Sequence, residues 1–164
     1  MALVQRAMRG VLMVLLVVLV GCDHATKVAA KLTLERGGPH VVVPGVVDLL
    51  YTENRNVAFS VFHELSSPFK RPLLIAMSCL AIAAIVVAWW KRRETAGLLE
   101  QCAYVLVVGG AIGNVVDRWQ LGYVVDFIHV GRWPVFNVAD AAICVGGALA
   151  GIAMRQAGAK RAAS

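Results

Sequence analysis

Charge is scarce in this chain. Asp, Glu, Lys and Arg make up 16% of the 164 residues against 59% apolar residues, and the mean hydropathy is +0.71. A soluble domain carries about a quarter charged residues, so lipid is the expected solvent. The signatures of several hydrolase classes are also missing. His63 and Glu64 begin like the HExxH helix of zinc proteases, but Ser67 stands where the second histidine belongs. No GxSxG elbow surrounds Ser60. No CxxC pair occurs: Cys22, Cys79, Cys102 and Cys144 fall one to each apolar stretch, as small unpaired thiols do, so neither redox chemistry nor structural zinc is expected. His24, His40 and His129 stand alone, and no internal repeat or low-complexity tract is present.

What remains is apolar sequence in long runs. Four stretches, at about 10–30, 72–90, 97–116 and 134–154, reach the roughly 20 residues that a membrane-spanning helix needs. The second carries no charge at all. The formal charge of +6 is distributed unevenly along the chain. With the N-terminus inside, the inner segments hold Arg6, Arg9, Lys91, Arg92, Arg93, Arg155, Lys160 and Arg161 against Glu94 and Glu100, which accounts for the whole excess. The outer side balances. This positive-inside pattern predicts two cytoplasmic termini, and Trp89 and Trp90, just before Lys91, predict an interfacial anchor. A nucleic-acid partner is excluded by the same placement.

The fold class expected is a mainly α membrane protein. Its 164 residues would form a single integral-membrane domain, with four transmembrane helices and a small β-rich extracytoplasmic loop at about 31–71. In that loop Val41, Val42 and Val43 precede a Pro44-Gly45 turn, a β-rich run follows over 46–62, and Ser66, Ser67 and Pro68 end it. Gly109 with Gly113 and Gly147 with Gly151 form small-xxx-small pairs that would let the third and fourth spans approach closely.

Polar residues gather at the outer ends of the spans. Asp23 and Lys27, four apart, share a helical face and can pair, with Lys27 free to snorkel outward. Asn114, Asp117 and Arg118 share a face of the third span, and Asn137 and Asp140 one of the fourth. Hydropathy sets Asp140 several residues inside an apolar run, where an ionisable group points to function. Asp126 sits in a connection short enough to bring it near Asp140. Two carboxylates in a low-dielectric site do not both ionise easily, so one keeps its proton, which suits hydrolysis. The carboxylate takes a proton from water while its protonated partner donates to the carbonyl oxygen. Which aspartate does which stays open at this level, because such a pair titrates jointly.

Five segments then stand in order: Asp23-His24-Ala25-Thr26-Lys27, Glu53-Asn54 through Ala58-Phe59-Ser60, Gly110 through Asn114 to Asp117-Arg118, Val125-Asp126-Phe127, and Phe136-Asn137-Val138-Ala139-Asp140. In these the chain closely resembles lipoprotein signal peptidase, or signal peptidase II, a four-span aspartyl peptidase family of the bacterial cytoplasmic (inner) membrane. The resemblance runs from about residue 23 to 154. It implies that Asp126 and Asp140 are the catalytic dyad near the outer face, that Asn54, Asn114, Arg118 and Asn137 bind substrate or inhibitor, and that Asp23, Lys27 and Asp117 support them. It implies no metal and no organic cofactor. Its substrates would be diacylglyceryl-modified prolipoproteins, met in membrane lipid and cut just before the lipidated cysteine, and its inhibitors globomycin-type cyclic peptides. One departure is Asn56, where the family commonly has glycine. Asparagine tolerates positive φ better than other residues do, so the turn is expected to survive.

Two rival readings exist. Arg6 and Arg9 ahead of an apolar run ending Leu19-Val20-Gly21-Cys22 look like a lipobox, which would make the chain itself a lipoprotein lipidated at Cys22. Alternatively the same aspartates serve a small transporter or proton path. The three further spans oppose the first, and the lack of polar residues in the inner halves of the spans opposes the second.

Overall fold

The structure, a computed structural model, describes residues 2–55 and 67–162. Four helices, α1 (Ala2–Gly37), α2 (Ser67–Arg92), α3 (Leu98–Gln120) and α4 (Val138–Ala162), are each long and apolar enough to cross a membrane. The helix α3 is the centre of the bundle: α1, α2 and α4 all pack against it. Their outward faces are bare hydrocarbon, as at Val11, Val17, Leu80 and Val87, which is the surface lipid requires.

Three strands lie at one end: β1 (His40–Val43), β2 (Val47–Asn54) and β3 (Val124–Val130), antiparallel in the order β1-β2-β3. The Pro44-Gly45 turn forms as expected. Gly45 has φ +72° and the Val46 N–H donates to the Val43 carbonyl at 2.9 Å, the geometry of a type II turn with proline second and glycine third. The described part of the β-rich run is strand β2, which extends to Asn54. Asn56, Ala58, Phe59, Ser60 and the His63-Glu64 pair lie outside the described residues.

Helix α1 is 36 residues long, about 54 Å at 1.5 Å per residue, and so outruns the roughly 30 Å hydrocarbon core. Residues 31–37, read from sequence as the start of the loop, are its last two turns. Leu34 in these turns and Ala30 just before them pack on Phe127 of β3, with Leu49, Tyr51, Ile128 and Val138 around them, so the helix extension supports the sheet. The helix stops at Gly38, whose φ of +76° and N–H bond to the Leu34 carbonyl (3.1 Å) make a left-handed cap, followed by Pro39.

Two other expectations are corrected. Helix α4 begins at Val138, not near Pro134, because Phe136 is drawn into a backbone bridge with Ile128 on β3. The glycines that matter also differ. A Cβ at Gly147 or Gly151 would meet nothing, whereas one at Gly110 would strike the Ala139 backbone and Ile143, and one at Gly146 would strike Val107 and the Ala103 backbone. Gly109 instead accommodates Leu16 and Leu19 of α1. Rotation of each helix about its axis decides which glycine faces its neighbour, and a four-residue spacing alone does not report that.

At the end opposite the sheet, Arg9 approaches Glu94 (4.0 Å) and Arg92 pairs with Glu100. Arg93 stacks on the Trp90 ring at 4.0 Å. Exposed Trp119 and Trp133 flank the sheet end, giving a second aromatic level that the sequence reading did not name.

Candidate active site

Asn137 and Asp140 organise the start of α4. The Asp140 N–H donates to Asn137 Oδ1 (2.9 Å), and the Asn137 N–H points back to Asp140 Oδ2 (3.4 Å). This reciprocal capping box satisfies donors that a helix N-terminus otherwise leaves open. Asp140 therefore stands in the first turn, half-buried at the sheet end, and not inside the apolar run as its sequence surroundings suggested. Its cost is correspondingly lower, because a helix N-terminus favours negative charge.

The amide of Asn137, itself fully buried, also reaches Asp126: Nδ2 donates to Asp126 Oδ1 at 2.6 Å. The other Asp126 oxygen accepts Asn54 Nδ2 at 2.9 Å. Asn54 arrives there because β2 pairs with β3 in a register that sets Thr52 against Asp126, which brings the side chain two residues on to the same face. Asn114 of α3 completes the ring, donating from Nδ2 to Asp140 Oδ1 (2.7 Å) and accepting from Asn137 (3.2 Å). The structure thus gathers Asn54, Asn114, Asp126, Asn137 and Asp140 in one hydrogen-bonded group.

Burial pushes the Asp126 carboxyl up to about 6 from its ordinary 3.8, and the Asp140 charge adds to this. The bonds from Asn54 and Asn137 and the charge of Lys27 act against it. Arg118 lies half-buried beside the group, under the fields of Asp140, Asp126 and Asp117, yet forms no ion pair among the described residues. Among the described residues its guanidinium donates a single long bond, to the Asn114 carbonyl at 3.4 Å.

Asp23, Lys27 and Asp117 form a buried cluster beneath, with Lys27 Nζ 2.8 Å from Asp23 and 3.0 Å from Asp117. Lys27 is 2% exposed and does not snorkel, and the pair does not end α1. No group of three His, Cys, Asp or Glu side chains is arranged to hold a metal among the described residues.

The family profile for signal peptidase (SPase) II matches residues 15–155. A lipoprotein signal peptidase of Geobacter metallireducens is 40% identical over 136 residues, 80% of this chain and 82% of that one. One from Geobacter sulfurreducens is 39% identical over 80% and 83%. The chain belongs to the signal peptidase II family. It is a peptidase of the aspartyl type and a multi-pass membrane protein, which disposes of the transporter reading. A solved bacterial membrane enzyme shares the peptidase's fold at a TM-score of 0.79 and 27% identity, with 90% of this chain and 88% of that one superposed.

Sequence reasoning missed one strand and one cluster of the peptidase. Asp126 was placed in a bare connection, but it lies on β3, and the β-branched and aromatic residues from Val124 to Val130 were the available signal. The cluster sits above the aspartates: Tyr123 Oη accepts Lys31 Nζ (3.1 Å) and meets Tyr51 Oη (3.3 Å), while the Arg55 guanidinium lies 5.4 Å from the Tyr123 ring. Burial first, then Tyr123, raises the Tyr51 phenol, and Arg55 holds the Glu53 carboxyl down by a hydrogen bond. These contacts tie β2, and Asn54 with it, to α1 and to Tyr123 just before β3.

Proposed function

We propose that this peptidase removes signal peptides from diacylglyceryl-modified prolipoproteins, cutting just before the lipidated cysteine, with Asp126 and Asp140 activating water between them. The observation that carries the proposal is the Asn137 bridge, which binds both aspartates in a chain of this family. The whole chain works as one integral-membrane domain in the cytoplasmic membrane, termini inside and aspartates near the outer face, in keeping with the basic excess at the end away from the sheet.

Substrate enters from the lipid, its scissile carbonyl reaching the aspartates while Asn54 and Arg118 hold its backbone. Asp126, buried and raised, holds the pair's proton, which leaves Asp140, half-exposed at the helix N-terminus, to act as the base. Water adds its oxygen to the carbonyl carbon, giving a proton to Asp140 as Asp126 protonates the carbonyl oxygen. When the C–N bond breaks, Asp140 passes its proton to the leaving amine and Asp126 recovers one from the diol. Globomycin-type cyclic peptides would occupy the same groups.

The direct test is cleavage of a diacylglyceryl-modified prolipoprotein by the purified protein, with the product located by mass. Substrate left uncleaved, or a cut away from the cysteine, would reject the assignment. The lipobox-like run at Cys22 makes a separate prediction: the purified protein keeps the mass of its whole chain without acyl groups, since α1 runs unbroken through Cys22 and Asp23 beyond it is buried in the bundle.

The proton on Asp126 sets a pH dependence. In the free enzyme kcat/KM is expected to fall about tenfold per pH unit above about 6, as Asp126 loses that proton. The Asn54 bond favours the ionised form, so Asn54→Ala should raise the Asp126 value and move this alkaline limb to higher pH. A limb that stays put, or moves down, would remove Asp126 as the acid.

A further inference from the structure

Each aspartate of the proposed pair follows a residue whose backbone N–H is held by a buried carboxylate. The Val125 N–H, before Asp126, donates to Asp117 Oδ2 at 3.1 Å, and the Ala139 N–H, before Asp140, donates to Asp23 Oδ1 at 2.8 Å. Asp117 comes from α3 and Asp23 from α1, and one ammonium holds both, Lys27 Nζ, at 3.0 and 2.8 Å. Its third proton goes to Asn114 Oδ1 at 3.1 Å, which fixes that amide so that Nδ2 faces Asp140. The three arms of Lys27 therefore end on the backbone before Asp126, on the backbone before Asp140, and on the Asp140 carboxylate.

We infer that Lys27 is the positioning residue of this site, setting the separation of Asp126 and Asp140 by holding Asp117, Asp23 and Asn114 at one point. The inference rests on the dyad reading above. Three features of the cluster support it. Asp23 Oδ2 has no hydrogen-bond partner other than this ammonium among the described residues, so the lysine is what fixes that carboxylate. All three charged groups are at most 3% exposed, so water does not substitute for any of them. Gly113 leaves the space that Asp23 Oδ2 occupies, since a Cβ there would collide with it. A charge spent only on closing a helix would need none of these contacts to the segments that carry the aspartates.

The test uses the full chain in detergent or lipid. For Lys27→Met, kcat should fall about 100-fold with KM within about 3-fold, the signature of misplaced reacting groups in a site that still binds. Amide exchange should accelerate at Val125 and Ala139, while the amides of 105–113 in α3 keep their protection. A second pair of variants covers a Lys27→Met protein that does not fold. Asp23→Ala and Asp23→Asn should both lose kcat in the same way, because the single oxygen of the amide cannot serve the Ala139 N–H and the Lys27 ammonium together. A Lys27→Met enzyme with kcat near the parent's, unchanged exchange at those two amides, or Asp23→Asn as active as the parent would each overturn the inference. Exchange is read without turnover, so it stands apart from the dyad assignment, which fails if Asp126→Asn or Asp140→Asn still cleaves.

Discussion

Asp126→Asn and Asp140→Asn are each expected to lower kcat at least about 1,000-fold, the scale that a positioned acid or base contributes. Asparagine keeps the size of the side chain and one oxygen to accept from Asn137, Asn54 or Asn114, so the hydrogen-bonded group persists while proton transfer is lost. The double variant should be little worse than either single one, because residues that act as a unit do not add. Stability should move the other way for Asp126. Its folded value, about 6, stands above the ordinary 3.8, so folding favours the protonated form. The resulting stability is present below 3.8 and lost as pH rises through about 6. Above that, Asp126→Asn should leave the protein as stable or more so, by up to about 3 kcal/mol. Thermal melting at pH 8 beside cleavage rates checks both. Lost activity with a lowered melting point would mean that the aspartate was structural.

Much of this architecture is legible before any coordinates, and the reasons are physical. The spans show themselves because lipid forbids charge over about 20 residues, and the hairpin because Pro44-Gly45 is turn chemistry between β-branched runs. Asp140 was misplaced by the same logic. Pro134, Val135 and Phe136 are apolar, so hydropathy joined them to the helix, although Asn137 and Asp140 at capping-box spacing mark its start. The pairing of β3 with β2 was harder to see, since it joins strands some 70 residues apart across two intervening spans. Lys27 was least legible of all. A lysine near a helix end is usually an interfacial anchor, and nothing local to 23–27 reports that Asp117 and Asn114, on another helix, complete its coordination.

Gly110 and Gly147 separate a required close approach from an incidental glycine, and they lead to the second large effect. At Gly110 a side chain would run into the Ala139 backbone oxygen and Ile143, and at Gly147 it would enter open space. Helices α3 and α4 would have to part to admit even a methyl group, and overpacking of this kind costs about 1–3 kcal/mol or more where backbone must move. The damage would not stay local. Ala139 is the residue whose N–H Asp23 holds, and Asp140 follows it, so displacing α4 at this point pulls one aspartate away from Asp126, Asn114 and the Lys27 cluster together. Gly110→Val is therefore expected to abolish cleavage and to lower the melting temperature sharply, with Gly110→Ala intermediate. Gly147→Val should change stability by no more than about 0.5 kcal/mol, as surface substitutions usually do, and leave cleavage intact. Equal behaviour of the two valine variants would mean that α3 and α4 do not meet at Gly110, and the placement of Asp140 beside Asn114 would fall with that contact.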